Sequence, residues 1–275
     1  MEETHPVMKA LLAVLALASA ACSTQAAIVT RDIDYTHAGT QLRGFLAYDD
    51  SLTAGGKLPG VLVVHEWWGL NDYAKGRAVQ LAKLGYVAFA LDMYGAGVVT
   101  TDKAKAGALA GPFYNKPLMA ERAQAGLDQL LGTGLVDPSR VAAIGYCFGG
   151  STVQALAYSG APLAGIVSFH GGLIPATPET AAMTKAKILI CHGALDPSEK
   201  PEEISAYIKS MNDTRLDYQF NEYAGAFHAF TNPDADKLAA LNGLQGFIAY
   251  SPSADRRSWA DMQVFFSEIF APAKG

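Results

Sequence analysis

Cys147 sits in the hexapeptide Gly145-Tyr146-Cys147-Phe148-Gly149-Gly150, directly after the apolar run Val141-Ala142-Ala143-Ile144 and before a helical pattern. Small residues on both sides of a nucleophile are what a sharp strand-to-helix turn requires, because bulky neighbours would block it. A thiol attacks well only as thiolate, so a base or a field must remove its proton. Residues 187–193 read as a buried strand with Asp196 on the loop beyond it, and residues 216–223 alternate as a strand with His228 on the loop that follows. Taken singly, these three read equally as a core cysteine, an Asp-Pro turn former and a loop histidine. Together they stand in the chain order nucleophile, acid, histidine that a Cys147-His228-Asp196 triad needs.

A further group follows the apolar run 60–65, which leads into Glu66-Trp67-Trp68-Gly69. Behind a nucleophile turn of this kind, that loop gives one backbone N–H to an oxyanion hole and the residue after the nucleophile gives the other. Those donors are Trp67 and Phe148. His65-Glu66 begins an HExxH spacing, but position 69 is glycine, so no zinc site follows and neither a metal nor another cofactor is expected. Trp68, Tyr94 and Phe230 are the aromatic candidates for substrate-binding walls.

Such residues meet only where strand ends converge on one edge of a sheet. A hairpin is predicted over 32–36 and 41–48 around His37-Ala38-Gly39-Thr40, then strands near 60–65, 86–91, 140–144, 164–169, 187–192 and 216–222. Helical stretches fall near 71–84, 117–131, 148–159, 199–211 and 255–270. The alternation predicts an α/β, doubly wound, mostly parallel sheet of about eight strands flanked by helices. Residues 95–117 and 231–255 exceed ordinary loop lengths and read equally as lids or as surface elaboration.

The Cys147 turn, the Glu66-Trp67-Trp68-Gly69 loop, Ala90-Leu91-Asp92-Met93-Tyr94, the segment Cys191 to Asp196 and Gly225-Ala226-Phe227-His228-Ala229-Phe230 together resemble the dienelactone hydrolase family. The resemblance implies the α/β-hydrolase fold and cofactor-free hydrolysis of carboxylic esters or lactones. It also implies Cys147 as nucleophile, His228 as general base and Asp196 as its orienting carboxylate. Glu66 would hold the resting thiol and take its proton when substrate displaces that contact. The family's namesake enzymes carry carboxylate-binding arginines at the positions of Ala96 and Asn232, and commonly a serine where Ala229 stands. Neutral esters or lactones are therefore expected over anionic ones. The alternative is a catalytically silent ligand-binding or thiol-redox protein on the same fold.

Half of the 275 residues are hydrophobic and 17% are charged, enough for one large core and unlike a disordered chain. A net charge of −5 without a basic stripe argues against nucleic acid as a partner; a small ester or lactone is the expected one. Residues 11–21 are apolar or small, preceded by Lys9, too short to span a membrane and ended by Ala18-Ser19-Ala20-Ala21. Residues 1–21 are thus expected to be a signal peptide, with Met8 the better start, and 30–273 the hydrolase domain. Cleavage fits after Ala20 or Ala26, and the ending at Cys22 also fits a lipid anchor. Export to the periplasm or medium is the expected localisation. Cys22, Cys147 and Cys191 form no disulfide framework, and Cys191 reads as core.

Overall fold

The computed structural model describes residues 28–271; the expected signal peptide, Cys22 and the last two residues of the expected domain lie outside that range. Strand β1 (Ile28–His37) pairs along its whole length with antiparallel β2 (Thr40–Asp49). The two residues between them, Ala38 and Gly39, have φ of 48° and 76°, the left-handed pair that a tight turn matching strand twist requires. The chain continues through α1 (Asp50–Thr53), β3 (Leu58–Val64), α2 (Asp72–Lys83), β4 (Val87–Leu91), α3 (Lys103–Ala110) and α4 (Leu118–Gly132). Then come β5 (Val136–Tyr146), α5 (Phe148–Tyr158), β6 (Gly165–Phe169), α6 (Pro178–Met183), β7 (Lys187–Gly193) and α7 (Pro201–Thr214). The last elements are β8 (Tyr218–Tyr223), α8 (Ala235–Asn242) and α9 (Pro252–Ile269).

The eight strands form one sheet in the order β1-β2-β4-β3-β5-β6-β7-β8. β2 pairs antiparallel with both neighbours and every other contact is parallel, so β1 points the same way as the parallel strands. Beside β3 the chain goes on to β4 on one flank and β5 on the other. Such a reversal opens a crevice at the strands' carboxyl ends, where the loops carrying Glu66 and Cys147 emerge.

Unbroken apolar runs make these central strands because both faces are covered. In β3, Val61 and Val63 pack with Ala78 and Leu81 of α2 and with Met262 and Phe266 of α9. Leu62 and Val64 face the opposite way, among Leu127 and Leu130 of α4 and Val153 and Leu156 of α5. The fold is the doubly wound, mostly parallel eight-stranded α/β sheet that the alternation predicts. The two long segments contain elements with little sequence signature: α3 buries only Ala106 and Ala110, and α8 is eight residues long. They meet over the carboxyl edge, where Trp68, Ala106, Ala229, Leu238 and Ile248 form a third apolar cluster. Asn242 ties them, accepting the Lys103 N–H at 2.8 Å and donating to Thr101 O at 2.9 Å. Among the described residues no helix is long and apolar enough to cross a membrane.

Candidate active site

Cys147 caps the N-terminus of α5 with φ 54° and ψ −115°. A non-glycine residue there stores on the order of 1–3 kcal/mol of strain, which only an over-determined surrounding sustains. Glycines supply that surrounding: a Cβ on Gly145 would fall on the Gly149 carbonyl, one on Gly149 on the Val64 carbonyl, and one on Gly150 on the Ser168 hydroxyl. The Cys147 N–H is shared between Phe169 O at 3.0 Å and His170 Nδ1 at 3.1 Å. Accepting at Nδ1 puts the His170 proton on Nε2, 2.6 Å from Thr231 Oγ1, which in turn lies 2.6 Å from the Tyr73 hydroxyl. Arg77 closes the chain, donating to Thr231 O at 2.7 Å and to Asp255 at 2.6 Å. Burial holds His170 well below the usual imidazole range, so it is neutral. Sequence reasoning missed this support; the available signal was a polar residue at the carboxyl end of a parallel strand, β6.

His228 Nδ1 lies 2.7 Å from Asp196 Oδ2. The other carboxylate oxygen accepts from Ser198, at 2.5 Å from its hydroxyl and 2.9 Å from its N–H. Burial works against the Asp196 anion, but the bonds from His228 and Ser198 outweigh it and bring its pKa to about 2. Burial likewise works against an imidazolium at His228. The nearby Cys147 sulfur and then Asp196 prevail, holding His228 well above its ordinary range. The loop is pinned by the Ala249 N–H, which donates to His228 O at 3.1 Å, and by Ala229 at φ 59°.

Glu66 is only 2% exposed. Its Oε2 accepts from Asn232 Nδ2 at 2.5 Å and, among the described residues, its Oε1 has no partner. Desolvation raises its pKa to about 7 against the pull of Asn232. Among the described residues no hydrogen bond joins Glu66 to Cys147, although both line one cavity. His65 fixes the loop, with Nδ1 2.5 Å from Glu66 O and Nε2 accepting from the Met93 N–H at 3.2 Å. Trp67 and Phe148 line that cavity too, and among the described residues their N–H groups donate to no protein acceptor.

The cavity encloses about 280 Å³, the low end for ligand sites. Its apolar walls come from Trp67, Trp68, Tyr114, Phe148 and Phe247, with Leu238 of α8 and Leu244 just beyond it. Two aromatic expectations need correction. Phe230 lies in the core against Tyr223 and His170, outside the lining. Tyr94 also stands behind the wall, its hydroxyl donating to Trp67 O at 3.2 Å and its ring packed on His65 and Phe148. Tyr114 and Phe247 take their places, both from the two long segments, where an aromatic residue in a long loop was the available hint. Cys191 is core: it is buried, Tyr223 Oη donates to its sulfur at 3.4 Å, and burial pushes its thiol up to about 12.

Residues 42–270 match the model of the Dienelactone hydrolase family. The chain belongs to that family. A crystal structure of a dienelactone hydrolase-like promiscuous phosphotriesterase from metagenomic libraries is 40% identical, with a TM-score of 0.82 over 89% of this chain and 100% of that one. A Bradyrhizobium protein named as a probable 2-oxo-3-(5-oxofuran-2-ylidene)propanoate lactonase is 26% identical over 246 residues, 85% of this chain and 93% of its own length. A Saccharolobus solfataricus protein provisionally named a carboxymethylenebutenolidase is 28% identical over 239 residues, 74% of this chain and 89% of its own. This chain is accordingly a hydrolase of carboxylic esters or lactones with a small-molecule substrate.

Within this member of the family the two positions where the namesake enzymes carry arginine have separate fates. Asn232 is buried and committed to Glu66, 166 residues away, a pairing that no local spacing could reveal. Ala96 is exposed and outside the cavity lining. Among the described residues that line the cavity there is no lysine or arginine.

Proposed function

We propose that this hydrolase acts through a Cys147-His228-Asp196 triad and a thioester intermediate on neutral, short esters or lactones. The observation that carries the reading is the 2.7 Å hydrogen bond that His228 Nδ1 donates to Asp196, in a histidine whose imidazole shares a cavity with a cysteine held at a strained helix cap. His228 takes the thiol proton as Sγ attacks the carbonyl carbon. The resulting oxyanion is bound by the Trp67 N–H of the loop after β3 and by the Phe148 N–H at the positive end of α5. Collapse of the tetrahedral adduct breaks the C–O bond, and the alkoxide leaves with the proton from His228. Water then gives a proton to His228, attacks the thioester and frees the acid, and the thiolate recovers its proton. Glu66 is a second acceptor for the resting thiol's proton, supported by its place in the cavity and a carboxyl poised at about 7.

Turnover of p-nitrophenyl acetate tests this. Cys147→Ala and His228→Ala are expected to lose on the order of 10⁴-fold in kcat/KM, and Asp196→Asn somewhat less. Retention of a tenth of the activity by Cys147→Ala would exclude the covalent route. A second reading, turnover of neutral phosphotriesters, is favoured by the 40% identity to the promiscuous phosphotriesterase. Release of p-nitrophenol from a diethyl phosphotriester, absent in Cys147→Ala, is its test. Export rests on residues 11–21 and is proposed on that ground alone.

A further inference from the structure

The cavity is acidic as well as aromatic. Besides Glu66, its lining includes Glu199, three residues beyond Asp196 on the loop after β7. Glu199 is half-buried, and its Oε1 accepts the Leu173 N–H at 3.1 Å, which fastens this loop to the one after β6. Among the described residues its other oxygen makes no hydrogen bond, and the side chain borders both this cavity and a neighbouring surface pocket that Lys200 lines. Burial, helped by Glu203 and Asp196, lifts its carboxyl above the ordinary value against the Leu173 N–H and the charge of His228. Glu199 shares this lining with Trp67, Trp68, Tyr114, Phe148 and Phe247, aromatic rings of the kind whose negative faces also attract cations.

We infer that Glu199 is the specificity-determining residue of this cavity and that its preferred esters and lactones carry a cationic group such as an ammonium. The inference deepens the ester-hydrolase reading and rests on it for the position of the scissile bond. Among the described lining residues the positive charge available is that of His228, already paired with Asp196, so a further carboxylate among aromatic walls makes a site that welcomes a weakly hydrated cation and repels a carboxylate. The absence of the arginines at 96 and 232 would leave anions merely unassisted; Glu199 turns that into active discrimination.

Three p-nitrophenyl esters of matched length test it at pH 8: the pentanoate, the 4-(trimethylammonio)butanoate and the hemiglutarate. The measured quantity is the ratio of kcat/KM for the cationic ester to that for the anionic one, so ester-independent effects on the machinery cancel. Glu199→Gln is expected to lower the wild-type ratio by about tenfold or more, the scale of one charge acting in a partly solvated site. Glu199→Lys is expected to lower it further and to favour the hemiglutarate. The same ratio in wild type and both variants overturns the inference. Binding of pentyltrimethylammonium to Cys147→Ala and to Cys147→Ala/Glu199→Gln, measured by calorimetry, separates this outcome from a failed triad. Tighter binding by the single variant supports Glu199 even where no ester is turned over, and equal binding overturns it.

Discussion

Glu66 is where the site works against the fold, and pH exposes the conflict. Burial lifts its carboxyl from 4.5 to about 7, and among the described residues one of its oxygens has no partner. The folded pKa lies above the unfolded one, so between them the native chain binds more protons than the unfolded chain does. The stability linked to Glu66 is therefore complete below about pH 4.5 and lost as pH rises through 7. At about 1.36 kcal/mol per pH unit, the rise from 4.5 to about 7 corresponds to roughly 3 kcal/mol of strain at alkaline pH. Glu66→Gln keeps the shape and cannot ionise. Its stability relative to wild type is expected to increase by about 2 to 3 kcal/mol between pH 5 and pH 8.5, and the part of the change caused by repacking cancels in that difference. Urea unfolding at the two pH values gives the number, provided the m-values agree. A difference independent of pH would refute a buried, ionising Glu66. A difference of opposite sign would mean that a partner stabilises the anion.

His170 should behave in the reverse sense: its pKa is depressed, so stability linked to it is lost as pH falls below 6.5. His170→Gln, which can still accept from the Cys147 N–H, is expected to flatten the pH dependence of unfolding below 6.5 by about 1.4 kcal/mol per pH unit; parallel curves for both proteins would count against a neutral His170. Gly145→Ala should abolish soluble, folded protein, because its Cβ would fall on the Gly149 carbonyl, whereas Gly107→Ala on the exposed face of α3 should gain about 0.5–1 kcal/mol. Similar melting temperatures for the two variants would refute that contrast. Intact mass from the native host should show cleavage between Ala18 and Ala27, with added lipid only if Cys22 is the new N-terminus. A full-length cytosolic chain would rule out export.

What was legible in the sequence follows the range of the forces involved. The central strands announce themselves because burial on both faces makes them continuously apolar, and the Cys147 turn does so because steric crowding leaves only glycine at three of its positions. The order of Cys147, Asp196 and His228 could be read because each closes a strand on the same edge. Partnerships made across the fold could not. Asn232 reads as a lost arginine until it is seen holding Glu66, and Glu199 reads as a helix-leading acid until the loop after β6 is beside it. Phe230 and Tyr94 show the same limit from the other side, since an aromatic ring looks alike in a wall and just behind it.

The direction of β1 has a practical meaning. Because it points with the parallel strands, Ile28 stands at the amino edge of the sheet and the cavity opens at the carboxyl edge, about 30 Å away along ten residues of strand. Anything joined before Ile28, whether an affinity tag, a retained leader or an acyl chain, is thus attached at the base of the molecule. A protein immobilised through that end would hold its mouth toward the bulk solution, so surface-bound enzyme should meet dissolved substrate as freely as the untethered form does.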